Sequence, residues 1–389
     1  MKYNFDVNID RSGTSAIKLD RLQENWGRTD LIPMWVADMD LATAPFVLDA
    51  IRKRCENPIL GYTAKPASYF QAIVNWNHNR YGFDITPDMI SFVSGIVPGI
   101  GLALNAFTEK GDKIMVQPPV YHPFMWLIER NEREVVYNPL TWIDGELHMD
   151  LEHFRKQVKG CKVFILCNPH NPGGIVWTEE ELQTVARICS EEHVLVFSDE
   201  IHADLTLPPL EHRPFATISE EARLNSVTFM SPSKAFNMPG ITASHVIIPN
   251  DTLRARFRKL IDACELDMGH VFAFTAVEAA YSNGTEWLHQ CLGYIQGNID
   301  YVDRFMQEHI PGIRVLRPKA SFLLWLDCRD LHFSQEELNR FFVDKAHLAL
   351  NDGAMFGKEG VGFMRMNVGS PRATIERAMQ QLLEAYQSL

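Results

Sequence analysis

Along most of its length the chain alternates short apolar runs with longer stretches whose apolar residues recur every three to four positions. That rhythm predicts strands separated by amphipathic helices. The runs are Ile90–Val93, Ile114–Gln117, Val163–Cys167, Val194–Phe197 and Val227–Met230. Strands and helices alternating in this order belong to a mainly parallel sheet with helices on both faces. Between the runs, Thr178 and Glu181 have capping-box spacing, with Leu182, Val185, Ala186 and Cys189 as one apolar stripe. Another helix starts near Ala44-Pro45 and carries Val47, Leu48 and Ile51.

The two ends of the chain read differently. Leu31–Asp40 is an apolar stretch closing on Asp38 and Asp40, and it predicts an edge strand and a turn. Beyond Thr252 the pattern is helical, with a stretch from Glu286 to about Ile310 long enough to bridge two domains. Phe322–Leu326 and Val361–Met366 then read as strands, Ser334–Glu337 caps a helix that turns Leu338, Phe341 and Phe342 inward, and Thr374 opens a last helix. The expected organisation is α/β, with a large domain over residues 46–285 and a smaller α+β domain over 286–389. The N-terminal segment 1–45 is expected to join the smaller domain in space.

Composition narrows the functional classes. A chain of 389 residues that is 46% hydrophobic has material for a large core. Its formal charge of −12 opposes binding to nucleic acid and anionic membranes, so small molecules are the expected partners. Seven scattered cysteines, odd in number and mostly within apolar runs, read as reduced thiols of a cytoplasmic protein. The first residues lack the apolar core of a signal peptide, and no apolar run approaches the roughly 20 residues of a membrane span.

The chemistry lies where the strands end. Five of them run into Ser94-Gly95, Tyr121, Asn171, Asp199 and Lys234, and open α/β sheets bind ligands outside the carboxyl ends of their strands. In Ser231-Pro232-Ser233-Lys234-Ala235-Phe236-Asn237 a lysine without a nearby acid follows a buried run, a setting for an amine that forms Schiff bases. Ser231 and Ser233 precede it as phosphate donors, and Gly95, Ile96 and Val97 open a helix whose free N–H groups suit a phosphate. Asp199, straight after an apolar run, needs a cationic partner such as a pyridinium N–H. Asn171 offers an amide to a phenolate oxygen, Tyr121 a face for a flat heteroaromatic ring, and His202, three residues beyond Asp199, is either a second contact to that ring or its substituents or a surface histidine. Arg365, a cation in an apolar run, suits a substrate carboxylate.

Other motifs fail. Gly99-Ile100-Gly101 has the first two glycines of a dinucleotide fingerprint, but Leu104 takes the third position. There is no P-loop string, no His-Glu-x-x-His and no Cys-x-x-Cys, which leaves a metal site without support.

Ser231–Lys234, Asn168–Gly174, Ser198-Asp199-Glu200 and Phe363–Asn367 resemble, in order and spacing, the fold-type I pyridoxal phosphate enzymes of the aspartate aminotransferase superfamily. Within it, Trp35–Asp40, Gly61-Tyr62, Asp199–His202 and Ser233–Asn237 look like the MalY/PatB subgroup of cystathionine β-lyases, or C–S lyases. His202 stands where most aminotransferases have tyrosine, as it does in that subgroup.

The resemblance implies a role for each position. Lys234 would hold pyridoxal 5'-phosphate as a Schiff base and then act as general base, with Asp199 on the pyridine nitrogen, Asn171 on the phenolate oxygen and Tyr121 stacked on the ring. Ile96, Val97, Ser231 and Ser233 would hold the phosphate, joined by Tyr62 from a second subunit of a homodimer. Arg365 would bind the α-carboxylate of an amino-acid substrate, with Val36 and Ala37 beside it. The implied reaction is α,β-elimination of L-cystathionine and other cysteine S-conjugates, with Tyr121 or a water protonating the departing sulfur. Transamination is the alternative, since it needs the same first proton abstraction, and a regulatory protein that binds the cofactor without turnover is the rival from another class.

Overall fold

A computed structural model describes residues 2–143 and 145–389. Its larger sheet comprises β1 (Ile90–Val93), β2 (Lys113–Val116), β3 (Glu134–Tyr137), β4 (Cys161–Cys167), β5 (Leu195–Asp199), β6 (Ser226–Met230) and β7 (Ser244–Ile247). Their spatial order is β1-β7-β6-β5-β4-β2-β3. All neighbours are parallel from β6 to β3, while β7 is antiparallel to both β6 and β1. Two reversals cancel. The carboxyl ends of β1, β2, β4, β5 and β6 therefore share one edge.

Burial on both faces explains why the strands read as unbroken apolar runs. Along β4, Val163, Ile165 and Cys167 join a core with helix Ile96–Phe107 and helix Asp251–Ala263. Phe164 and Leu166 point the other way, into a core with helix Glu179–Glu191. That helix carries the expected capping box between Thr178 and Glu181, and its stripe Leu182, Val185, Ala186 and Cys189 is buried. β7 went unread in the sequence. Only a loop separates it from β6, so the strand–helix–strand rhythm is absent there.

The smaller sheet is antiparallel, with β8 (Arg314–Leu316), β9 (Leu323–Asp327), β10 (Asn351–Asp352) and β11 (Phe363–Asn367) in the order β8-β9-β11-β10. Helix Thr285–His309 precedes it and buries Trp287, Cys291, Ile295, Ile299, Val302 and Met306 along one side. A short strand, Ile32–Pro33, pairs in parallel with Leu348–Ala349. Ser334 and Glu337 form the second expected capping box, and Leu338, Phe341 and Phe342 are buried. The last helix begins at Arg372, two residues before the expected Thr374, because Pro371 takes the N-cap position. One core cluster runs from Phe236 and Ala276 to Leu324 and Met366, tying both sheets together.

Candidate active site

The shared edge of the large sheet borders a cavity of about 220 Å³. Gly95, Ile96 and Val97 line it at the start of helix Ile96–Phe107, whose first N–H groups have no intrahelical acceptor. Tyr121, Asn171, Asp199, His202, Ser233 and Lys234 also line it, with Ala37 arriving from the N-terminal segment. Val36 and Ala37 both line a larger neighbouring cavity of about 740 Å³, which also reaches Lys234.

Electrostatics in this space depart from those of surface groups. Lys234 Nζ donates to Ala37 O at 2.5 Å. Burial, reinforced by the Arg365 charge, pulls its amine down to about 8, against the pull of Asp38 and Asp199 in the other direction. Asp199 is 4% exposed, and burial drives its carboxyl up to about 7 even though its Oδ1 accepts from Ile201 N at 3.1 Å. His202 is held near 3 by burial and by Lys234 and Arg365, so the ring is neutral, and its Nδ1 is buried without a partner among the described residues. Burial raises the Tyr121 phenol as well.

Arg365 sits in β11 between β9 and β10 and is buried rather than turned to water. Its Nη1 donates to Asn171 Oδ1 at 3.0 Å, and its Nη2 donates to Trp35 O at 3.0 Å and Asn351 Oδ1 at 2.5 Å. Every acceptor is neutral. Burial lowers its affinity for a proton to about 10, and Nε has no partner among the described residues. A buried guanidinium without a carboxylate is suited to receive one from a ligand.

Two expected phosphate groups stand apart from this wall. Ser231 does not line the cavity; its Oγ donates to Ala243 O at 2.8 Å and accepts from Ser233 N at 3.1 Å, so it shapes the turn that presents Ser233. Tyr62 is 97% exposed on the 57–66 loop, outside the cavity.

Three asparagines that the sequence reading left without a role hold the site together. Asn351 faces Arg365 across the β10–β11 register. Asn367 Nδ2 donates to Val36 O and Asp38 O at 2.6 and 2.7 Å. Asn237 Nδ2 donates to Met39 O and Leu41 O, while its Oδ1 accepts from Met39 N. Asp38 and Asp40 are paired with Arg11 and Lys18, which fastens the same loop from its outer side. The signal for Asn367 and Asn351 was a lone amide in or beside an apolar run.

The donor set fits pyridoxal phosphate. An amine, a buried carboxylate with no cation bonded to it among the described residues, a free helix start and a neutral histidine line one cavity. Residues 29–382 match the family described as aminotransferase class I and II. The chain belongs to that family. It is 39% identical to cystathionine β-lyase PatB of Bacillus subtilis over 98% of this chain and 99% of that protein. Cystalysin of Treponema denticola, solved with pyridoxal 5'-phosphate, superposes with a TM-score of 0.97 at 31% identity over 100% of both chains. The pyridoxal-phosphate-bound C–S lyase of Staphylococcus hominis does so with 0.90 at 34% identity over 99% of each.

Proposed function

We propose that the protein is a pyridoxal-phosphate-dependent carbon–sulfur β-lyase that converts L-cystathionine and related cysteine S-conjugates to a thiol, pyruvate and ammonia. The observation that carries the reading is the joint placement of Lys234, Asp199 and Asn171 around one cavity, with Arg365 bonded to Asn171 beside it. Likeness to PatB over nearly the whole chain directs it to the lyase rather than to transamination.

When bound, the cofactor supplies a protonated ring that takes up the electron pair left at the substrate α-carbon. Asp199 keeps the ring nitrogen protonated, and Asn171, whose amide oxygen is engaged by Arg365, has its N–H groups for the phenolate oxygen. Ile96 and Val97 N–H groups and the Ser233 hydroxyl hold the phosphate. Arg365 takes the substrate α-carboxylate, with Asn351 and the Trp35 carbonyl setting its plane. Lys234, whose amine burial and the Arg365 charge hold below the ordinary lysine range, removes the α-proton. The carbon–sulfur bond then breaks, with Tyr121 or a water supplying the proton to sulfur. The remaining enamine hydrolyses to pyruvate and ammonia.

A homodimer completes the reading, with the exposed Ile59, Leu60 and Tyr62 as the contact and Tyr62 as the residue reaching the neighbouring phosphate. The cytoplasm is the inferred setting, on seven cysteines that are all free, five of them buried.

Incubation with L-cystathionine tests the activity, with pyruvate and thiol measured together. Catalytic, equimolar release of both is expected, and Lys234→Ala abolishes it. One equivalent of pyridoxamine phosphate without pyruvate would establish transamination instead.

A further inference from the structure

Directly after Asp199 the chain places a second carboxylate, Glu200, that is almost wholly shielded and has no part in the chemistry above. Burying a charged side chain is costly unless it is fully hydrogen-bonded. Glu200 meets that condition. Its Oε1 accepts from Ser198 Oγ at 2.8 Å and Phe215 N at 2.9 Å, and its Oε2 pairs with His212 Nε2 at 2.8 Å. Facing a carboxylate, Nε2 is the donor. The Glu200 backbone N–H also donates to Phe229 O at 2.9 Å, on the strand that leads to Lys234.

Asp199, by contrast, has thin support of its own. Among the described residues its carboxylate accepts one hydrogen bond, from Ile201 N, and its backbone carbonyl accepts from Asn168 N at 2.9 Å. The 199–200 peptide is held by one backbone bond to each neighbouring strand, and the Glu200 side chain adds the only side-chain network behind it among the described residues.

We propose that Glu200 and His212 are positioning residues for Asp199: the hydrogen-bonded pair behind the strand end fixes the peptide that aims the Asp199 carboxylate at the cofactor ring. This rests on the cofactor assignment above. Neither residue lines the cavity. His212 serves as the latch, because it joins the 211–215 loop to the strand end and packs edge-on against Tyr81 at 5.5 Å. Its removal leaves a buried carboxylate with one oxygen unpaired, and that side chain then turns and takes its own backbone with it.

A double-mutant cycle tests the proposal, with pyridoxal phosphate affinity read from the visible absorbance of the bound cofactor and the fraction folded read by circular dichroism. His212→Leu in the otherwise unaltered chain is expected to weaken cofactor binding roughly ten- to a hundredfold, as loss of an outer-layer partner does. His212→Gln, whose amide N–H reaches for the same carboxylate, restores most of that loss. In an Asp199→Asn background His212→Leu changes affinity less than about twofold, because the group through which the pair acts is gone. Equal losses in both backgrounds, or no loss in either, overturn the proposal. Glu200→Gln, equal in size, carries the same cycle should His212→Leu fail to fold. If the unaltered chain takes up no cofactor, the cofactor assignment falls and this proposal falls with it; uptake accompanied by equal losses sinks the proposal alone.

Discussion

Asp199 and Asp327 are each the last residue of a central strand, following Leu195-Val196-Phe197-Ser198 in the large sheet and Leu323-Leu324-Trp325-Leu326 in the small one. Both are almost completely buried. Their surroundings differ. Asp327 accepts from Arg329 N, Nε and Nη2 and from Arg314 Nη2, all between 2.8 and 3.2 Å. Burial pushes its proton affinity up, but these bonds and charges outweigh it and hold the carboxyl below its ordinary value. Asp199 receives one backbone N–H, and burial prevails. A strand that ends on aspartate is therefore not itself a sign of catalysis. The sign is a buried carboxylate with no cation bonded to it among the described residues, which suits it to a cationic group of a ligand.

The largest expected separation between the two is in turnover. Asp199→Asn removes the charge that keeps the ring nitrogen protonated, so kcat/KM for cystathionine falls about 10²–10³-fold or more. Asp327→Asn leaves it within about threefold. Steady-state pyruvate assays on both variants check this, and comparable losses would show that burial at a strand end, not the missing cation, governs function.

The sequence carried this contrast only in part. Strand ends at Tyr121, Asn171, Asp199 and Lys234 were legible because apolar runs mark parallel strands and parallel strands align their carboxyl ends. The burial of His202 and Arg365 was not legible, since a lone polar residue near an apolar run fits an edge as well as an interior. Asn351 escaped notice because its importance comes from the β10–β11 register, and a two-residue strand leaves no periodic trace. Arg11 and Lys18 clamp Asp38 and Asp40 across about 20 to 30 residues that include two short helices and a strand, a pairing that no local pattern encodes. Ser231 was legible as part of a motif, while its hydroxyl's use inside the turn depended on where Ala243 lies.

Stability provides the next test, and the two aspartates should move in opposite directions. Asp327→Asn strips charge from a buried, well-bonded site whose arginine partners are about half exposed, so the loss is about 1–2 kcal/mol near neutral pH. With a lowered native pKa, Asp327 stabilises above the unfolded value of about 3.8 and loses that contribution as pH falls. The gap to the variant therefore closes in acid. Asp199 has a raised native pKa, so its contribution is present below about 3.8 and lost as pH rises through about 7. In cofactor-free protein at pH 8, Asp199→Asn is expected to be the more stable form, by on the order of 1–2 kcal/mol. Thermal melts of the cofactor-free proteins at pH 4 and pH 8 measure both signs, and a destabilised Asp199→Asn at pH 8 would mean that its carboxylate already has a cation in the empty site.

The smallest effect concerns Lys234, the cation nearest in function to Asp199. In cofactor-free protein its amine should lose its proton near pH 8, because burial and the Arg365 charge both favour the neutral form. Modification of Lys234 by an amine-directed reagent, followed by peptide mass spectrometry, should rise with pH and reach half its maximum near 8, well below the ordinary lysine value of about 10.4. Asp199→Asn removes one of the two carboxylates that hold the proton on, so the midpoint should fall by a fraction of a pH unit. Asp327→Asn should leave it unmoved, since Asp327 lies in the other sheet with its charge spent on two arginines. Equal shifts in the two variants would show that Lys234 responds to the net charge of the protein and not to the pairing within its own cavity.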